Sequence, residues 1–265
     1  KLQTYKADTI VTKTARFDLD NVGDMVQHQL FQKYQIDFEL HKKVFDYIES
    51  KDLDWFSTPS HRADVDMLDE LGVVAHKLGA DDATNLPLIK YVASTNKPIF
   101  LSSGMCTMTE VREMIDACLE VGNDKIILFH TISNYPTYSN QVNLLAMQAL
   151  KREFPFLTVG FSDHTIGPIA SFAAACMGAE VIEKHFTDDT TREGPDHKFS
   201  MDFNLWKDMV DRVRELELAL GSNIKKIEDN EKDTVVLQRR ALRASKILKK
   251  GNILTDSDLI PLRPC

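Results

Sequence analysis

LTVGFSDHTIGPIASFAAACMGAEVIEKHFT, residues 157–187, decides the fold. It opens on an apolar run, LTVGFSDH (157–164), and closes on another, AEVIEKHFT (179–187), each ending in polar residues. Between them IGPIASFAAACMGA (166–179) is rich in alanine and other small residues, which suits a helix packed closely on a sheet. Strand, helix and strand within about 30 residues make a βαβ unit, whose two strands run parallel. His164 closes the first strand and His185 the second, 185 − 164 = 21 residues later. That is one repeat, so both imidazoles are expected at the same end of adjacent strands.

The same pattern recurs toward the N-terminus. Strand-like runs occur at KLQTY (1–5), DWFSTPS (54–60), VVAHKLG (73–79), PIFLSSG (98–104) and KIILFHT (125–131). The segments between them carry helical period, as in TEVREMIDACLEVG (109–122), where Val111, Met114, Ile115, Cys118 and Leu119 share a face. Several strands are continuously apolar, as strands buried on both faces are. Seven such units predict an α/β fold, a (β/α)8 TIM barrel lacking its first βα unit; an open doubly wound sheet is the alternative. Nearly every run ends in Ser, Thr, Lys, Asp or His, and in a barrel those C-terminal ends meet at one mouth, where barrel enzymes keep their sites.

At that mouth two chemistries are expected. His164 and His185, with Asp163, Glu183 and Asp188 close in sequence, suit a divalent transition metal; two structural histidines with satisfied ring nitrogens are the competing explanation. Lys1, Lys77, Thr58, Ser102 and Ser162 sit at strand ends, and two ammonium groups with several hydroxyls suit a phosphate and a carboxylate together. Lys77 follows the apolar Val73-Val74-Ala75, where an unpaired ammonium is costly. REGPDHKFS (192–200) presents acidic and imidazole groups around a Gly-Pro turn, fit for sugar hydroxyls or simply a polar loop.

The net charge of −8 and the lack of a basic patch argue against nucleic acid as a partner. No run approaches the roughly 18 apolar residues of a membrane span. The four cysteines form no CxxC, which predicts free thiols in a reducing cytoplasm. After a helix over 203–221, the charged stretch 222–233 reads as a linker. The expected domains are a barrel over 1–225, a linker over 226–237 and the start of a small second domain over 238–265. The chain begins inside one strand and stops just after another, as a fragment would.

The motifs GFSDHTIG (160–167), GAEVIEKHFT (178–187) and GPDHKFS (194–200) resemble the N-acetylneuraminate (sialic acid) synthase family. KLQTYKA (1–7), FSTPS (56–60), HKLGADDATNLPLI (76–89), KPIFLSSGM (97–105) and NYPT (134–137) support the resemblance along the whole chain. The tail ILKKGNILTDSDLIPLRP resembles the opening of that family's antifreeze-like (SAF) domain. The resemblance implies a TIM barrel whose small C-terminal domain caps the partner's site in a domain-swapped homodimer. It implies condensation of phosphoenolpyruvate with an open-chain N-acylated amino sugar, N-acetylmannosamine or a 2,4-diacetamido hexose, assisted by a divalent metal: Mn²⁺, with Mg²⁺ or Co²⁺ as alternatives. Carried over, His164 and His185 are the metal ligands. Lys1, Thr58, Lys77, Ser102 and Ser162 hold the phosphate and carboxylate. Gln3, Tyr135 and Asp196 lie near the sugar, and Arg263 reaches its N-acyl group from the other subunit.

The departures are specific. Ala80-Asp81-Asp82 stands where many members read Ser-Gly-Glu, so Asp82 takes the place of a proton-carrying Glu with a shorter side chain, and Ala80 removes a hydroxyl. Ser133 stands where a phosphate-side Asn is common. The family's first strand, with its Glu, has no counterpart here. These changes imply a different sugar, of legionaminate-like or other bacterial nonulosonate type, or a catalytically impaired protein of polysaccharide assembly. A metal-dependent aldolase or isomerase on the same barrel is the remaining alternative.

Overall fold

The computed structural model describes residues 1–19 and 23–265. In chain order the strands are β1 (Leu2–Thr4), β2 (Arg16–Leu19), β3 (Gly23–Val26), β4 (Ser57–Pro59), β5 (His76–Leu78), β6 (Ile99–Ser102), β7 (Ile126–Thr131), β8 (Thr158–Asp163), β9 (Ile182–Lys184), β10 (Ala241–Ala244) and β11 (Leu259–Leu262). The helices are α1 (Ala7–Ile10), α2 (Gln27–Tyr34), α3 (Phe38–Glu49), α4 (Arg62–Leu71), α5 (Leu86–Ala93), α6 (Met108–Leu119), α7 (Leu145–Glu153), α8 (Ile169–Cys176), α9 (Phe203–Leu220) and α10 (Lys232–Gln238). They fall into two units, Lys1–Ala219 and Leu220–Cys265.

The first unit holds one sheet of seven strands in the order β1-β4-β5-β6-β7-β8-β9, every neighbouring pair parallel. Spatial order follows chain order without reversal. That is the winding of a (β/α)8 barrel left open between β1 and β9; a doubly wound sheet would reverse at a switch point. All seven expected runs are strands of this sheet. The hairpin of β2 and β3 interrupts a stretch between β1 and β4 expected to carry helical period. Its first strand, Arg-Phe-Asp-Leu, alternates polar and apolar residues with the period of two that marks a strand.

Register decides which side chains share the inner face. Gln3 is level with Thr58, Ser57 with His76, Lys77 with Phe100, Ser102 with Phe129, Thr131 with Ser162, and Ser162 with Glu183. Side chains alternate along a strand, so Lys1, Gln3, Thr58, Lys77, Ser102, Thr131, Ser162 and Glu183 share the inner face. Two residues earlier on three strands lie Phe56, Phe100 and Phe129, stacked with centroids 5.0 and 5.9 Å apart. On the outer face Ile99, Leu101, Leu128 and Val159 meet Leu88, Ile89, Met114, Ile115 and Met147 of the surrounding helices in the main core. Phe45, Leu68 and Val73 form a smaller core, with Trp55 stacked 4.1 Å from Phe45.

Local chemistry sets the helix ends. Thr107 caps α6 in a reciprocal box with Glu110, and Gly72 ends α4 with φ 88°, a left-handed turn that favours glycine. Gly167-Pro168 delays α8 to Ile169, three residues after the helical pattern begins. α3 is tied to the sheet by a buried chain: His41 Nδ1 donates to the Asp37 carbonyl, and Nε2 meets Thr4 Oγ1 at 2.8 Å, itself 2.6 Å from Ser57 Oγ.

In the second unit β10 and β11 pair antiparallel, and Asp258 anchors their turn by accepting from the Thr255 amide and hydroxyl. Residues 226–237, read from sequence as a linker, begin without regular structure and then carry the 3-10 turn Asp229–Glu231 and most of α10. Among the described residues no helix is long and apolar enough to cross a membrane, and all four cysteines are free.

Gly160, level with Phe129, explains how the ring stack fits. A Cβ there would come within 2.5 Å of the Val181 carbonyl oxygen and 2.8 Å of the Phe129 ring. Gly160→Ala is therefore expected to destabilise the first unit by about 1–3 kcal/mol, the usual cost of overpacking. Chemical unfolding measures it, and an unchanged midpoint would refute the close packing.

Candidate active site

Glu183 is the centre of the inner layer. Its carboxylate lies 2.9 Å from Lys1 Nζ and 3.5 Å from Lys77 Nζ, and it accepts from Ser162 Oγ at 2.8 Å. β1 and β9 are the two outer strands, so the contact with Lys1 crosses from one edge of the sheet to the other. Burial opposes the charge on Glu183, but Lys77, Lys1 and the Ser162 hydroxyl outweigh it and hold the carboxyl well below its ordinary range. Lys77 is buried and donates to Ser102 Oγ at 2.6 Å, with its ammonium 5.4 Å from the Phe129 ring centroid. Burial, aided by the charge of Lys1 and opposed by Glu183, lowers its pKa to about 8. Thr58, Ser102 and Ser162 are buried beside it. Two ammoniums contact one carboxylate among hydroxyl donors, an arrangement that suits an anion.

The histidines are adjacent, their ring centroids 5.3 Å apart. His164 Nδ1 is 2.7 Å from the Ile132 carbonyl oxygen, an acceptor that requires Nδ1 to carry the proton and leaves Nε2 with a bare lone pair. Burial lowers the pKa of His164 to about 4, so the ring is neutral near pH 7. His185 Nδ1 lies 3.3 Å from Asp196 Oδ2, beside a carboxylate as metal-binding imidazoles commonly are. Two rings bound through Nε2 to one cation at roughly 2.1 Å would have centroids about 5 Å apart, so the pair fits a shared divalent ion. Among the described residues no cluster of three or more His, Cys, Asp or Glu forms a closed metal cage; the dyad alone leaves coordination positions open, as catalytic sites do.

Tyr135 packs on both imidazoles, 4.3 Å from His164 and 6.0 Å from His185, and on Phe199. Burial of its hydroxyl, with Asp81, Asp196 and Glu183 adding, pushes the phenol up to about 12 and keeps it a neutral donor. Gln3 is exposed, level with Thr58. Ser133 is half-buried, with Oγ pressed against Gly104 beside Ala80 and Thr131. Asp82 ends the short 3-10 turn Ala80–Asp82 and accepts from Asn85 Nδ2 at 3.0 Å; burial, with Asp81 adding, raises its carboxyl. Arg263 lies in the second unit beside Arg240 and Ile260–Leu262.

Three groups escaped the sequence-based set. Glu183 was grouped with the metal-side carboxylates, yet it contacts the lysines; its parity with Ser162 was the available signal. Asp81, rather than Asp82, acts electrostatically on Lys77 and Tyr135. Thr131 occupies the inner layer between Ser102 and Ser162, buried, with its hydroxyl unpaired.

The sequence profile of the NeuB family matches residues 1–225. The chain belongs to the NeuB family. These are phosphoenolpyruvate-condensing nonulosonic acid synthases, and this chain is a phosphoenolpyruvate-dependent transferase of that kind. Enzymes of the family typically use a divalent metal. The chain is 40% identical to the N,N'-diacetyllegionaminic acid synthase of Legionella pneumophila over 272 residues, covering 100% of this chain and 76% of that protein. The synthase of the same name from Campylobacter jejuni is 38% identical over 270 residues, covering 100% and 80%. The crystal structure of the N-acetylneuraminic acid synthetase from Leptospira borgpetersenii superposes with a TM-score of 0.75 at 26% identity, covering 78% of this chain and 72% of that one.

The depressed Lys77 sets a pH limit on this NeuB-family site. Only the ammonium attracts an anion, so affinity is present below about pH 8 and falls as pH rises through that value. Sulfate, whose charge is constant over that range, is the probe, and calorimetry the measurement. Lys77→Arg should remove the decline, and Lys77→Met should weaken binding by about 1.5–3 kcal/mol at pH 7. A decline that persists in Lys77→Arg would assign the titration to another group.

Proposed function

We propose that this NeuB-family enzyme condenses phosphoenolpyruvate with the open-chain aldehyde of a 2,4-diacetamido hexose, giving a legionaminic-acid-type nonulosonate and inorganic phosphate. One observation carries the proposal: an anion site at Lys1, Lys77, Ser102 and Ser162 stands on the same mouth as a histidine dyad with both Nδ1 atoms engaged. The preference for the diacetamido sugar over N-acetylmannosamine rests on the identities of 40% and 38% to the two diacetyllegionaminic acid synthases.

In this proposal Lys1, Thr58, Lys77, Ser102 and Ser162 hold the phosphate and carboxylate, with Ser133 at the phosphate side. Gln3, Tyr135 and Asp196 face the sugar. His164 and His185 hold the divalent ion, Mn²⁺ by preference, since imidazole suits transition ions better than Mg²⁺. Bound there, such an ion supplies Lewis acidity toward the aldehyde oxygen. C3 of phosphoenolpyruvate then forms the new bond to the aldehyde carbon, water adds at C2, and the C–O bond to phosphate breaks. Asp82, its carboxyl raised by burial and by Asp81, carries the proton lost by the water that adds at C2 to the oxygen of the former aldehyde. The β10–β11 pair is the opening of a SAF-type domain, through which Arg263 serves the neighbouring subunit of a homodimer.

The test is phosphate release and 2-keto acid formation with phosphoenolpyruvate, Mn²⁺ and a panel of 2-acetamido and 2,4-diacetamido hexoses. Turnover that is fastest with a 2,4-diacetamido sugar is expected; phosphate release that needs no sugar, or none with any sugar, refutes the assignment. His164→Ala and His185→Ala should each abolish metal-dependent turnover. Asp82→Asn should lower kcat by about 10²-fold or more with little change in KM. Asp81→Asn removes a neighbouring negative charge, so it should move the acid limb of the pH–rate profile to lower pH; an unmoved limb separates Asp82 from that titration.

A further inference from the structure

Asp163 and Lys184 are paired across the β8–β9 ladder, and each comes one residue before a histidine of the dyad. Lys184 Nζ lies 3.0 Å from Asp163 Oδ2, and the two side chains are 1% and 0% exposed. Neither group enters the proposed chemistry. Stability is a poor reason to keep such a pair, because well-packed apolar side chains of similar volume are usually as stabilising or more so.

The pair's remaining hydrogen bonds point to a different role. Asp163 Oδ1 accepts from the Thr165 amide at 2.8 Å, and Lys184 Nζ donates to the Thr165 carbonyl at 2.6 Å. Ser171 Oγ, from α8, donates to Asp163 Oδ2 at 2.7 Å. Both backbone polar atoms of the residue after His164 are thus held by one ion pair that spans both strands. His164 is fixed on its other sides as well: its carbonyl accepts from Thr137, and its Nδ1 meets Ile132. His185 follows Lys184 directly, so its backbone leaves the ladder from the same anchored point.

We propose that Asp163 and Lys184 are positioning residues that set the separation of His164 and His185, and thereby the affinity of the dyad for a divalent transition cation. The proposal rests on the dyad being the cation site, and the experiment keeps the two claims apart. Mn²⁺ binding to the full chain is measured by calorimetry or electron paramagnetic resonance, with sulfate binding and thermal melting recorded on the same samples. The main variant is the double Asp163→Asn/Lys184→Met, which removes both charges together and leaves no ion unpaired. It should fold and bind sulfate within threefold of wild type, while its Mn²⁺ affinity falls by on the order of 10–100-fold, the range seen when groups behind metal ligands are lost. Ser171→Ala, which leaves the charges in place, should lower Mn²⁺ affinity by less. A folded double variant with wild-type Mn²⁺ affinity, or parallel losses of sulfate and Mn²⁺ binding, overturns the proposal. Should the double variant fail to fold, Ser171→Ala decides: wild-type Mn²⁺ affinity there overturns it. Wild-type protein that binds no Mn²⁺, or His164→Ala that binds it normally, refutes the cation site itself. Binding lost in His164→Ala but kept in the double variant refutes only the positioning role.

Discussion

The carboxylate of Glu183 between the ammonium groups of Lys1 and Lys77 is the contact on which the mouth of this barrel depends. It joins β9 to β1 across the open side of the sheet and to β5 through its middle, and the Ser162 hydroxyl adds β8. Desolvated charges near break-even contribute little net stability. Their effect is geometric: four strand ends are held in one constellation by groups that must stay together because none is tolerable alone. The same carboxylate cancels one of two positive charges, so the site keeps enough field to attract an anion without burying two unbalanced lysines.

From that hub the mouth divides into two halves. On one side the lysines and the hydroxyls of Thr58, Ser102 and Ser162 offer a cluster of donors, which suits a highly charged, oxygen-rich substrate. On the other, the imidazoles and Tyr135 offer lone pairs, a neutral phenol and ring faces, which suits an uncharged polyol and an ion to activate it. The carbonyl of Ile132 and the carboxylate of Asp196 hold the two ring orientations from different directions.

Much of this was legible in the sequence, and the limits have physical causes. Parallel strands buried on both faces are continuous apolar runs, so all seven could be located, and the 21-residue spacing of His164 and His185 predicted neighbouring rings correctly. Strand parity was the unused signal: Glu183 and Ser162 had to share a face with Lys77, whichever group each then chose as partner. Loops carry no such period. Nothing in Ala80-Asp81-Asp82 foretold that a 3-10 turn would bring Asp81 into the field of Lys77 and Tyr135. The helix within 226–237 was hidden for a related reason, since short polar segments satisfy several backbone conformations equally well until their neighbours choose one.

The three near-parallel rings of Phe56, Phe100 and Phe129 lie one layer in from the strand ends. A ligand oxygen that slid down past Lys77 to them would shed its hydration and meet aromatic carbon, which offers no hydrogen-bond donor. The rings therefore act as a depth stop. They favour an anion held at the rim, among the lysines and hydroxyls, over one lodged deeper in the sheet.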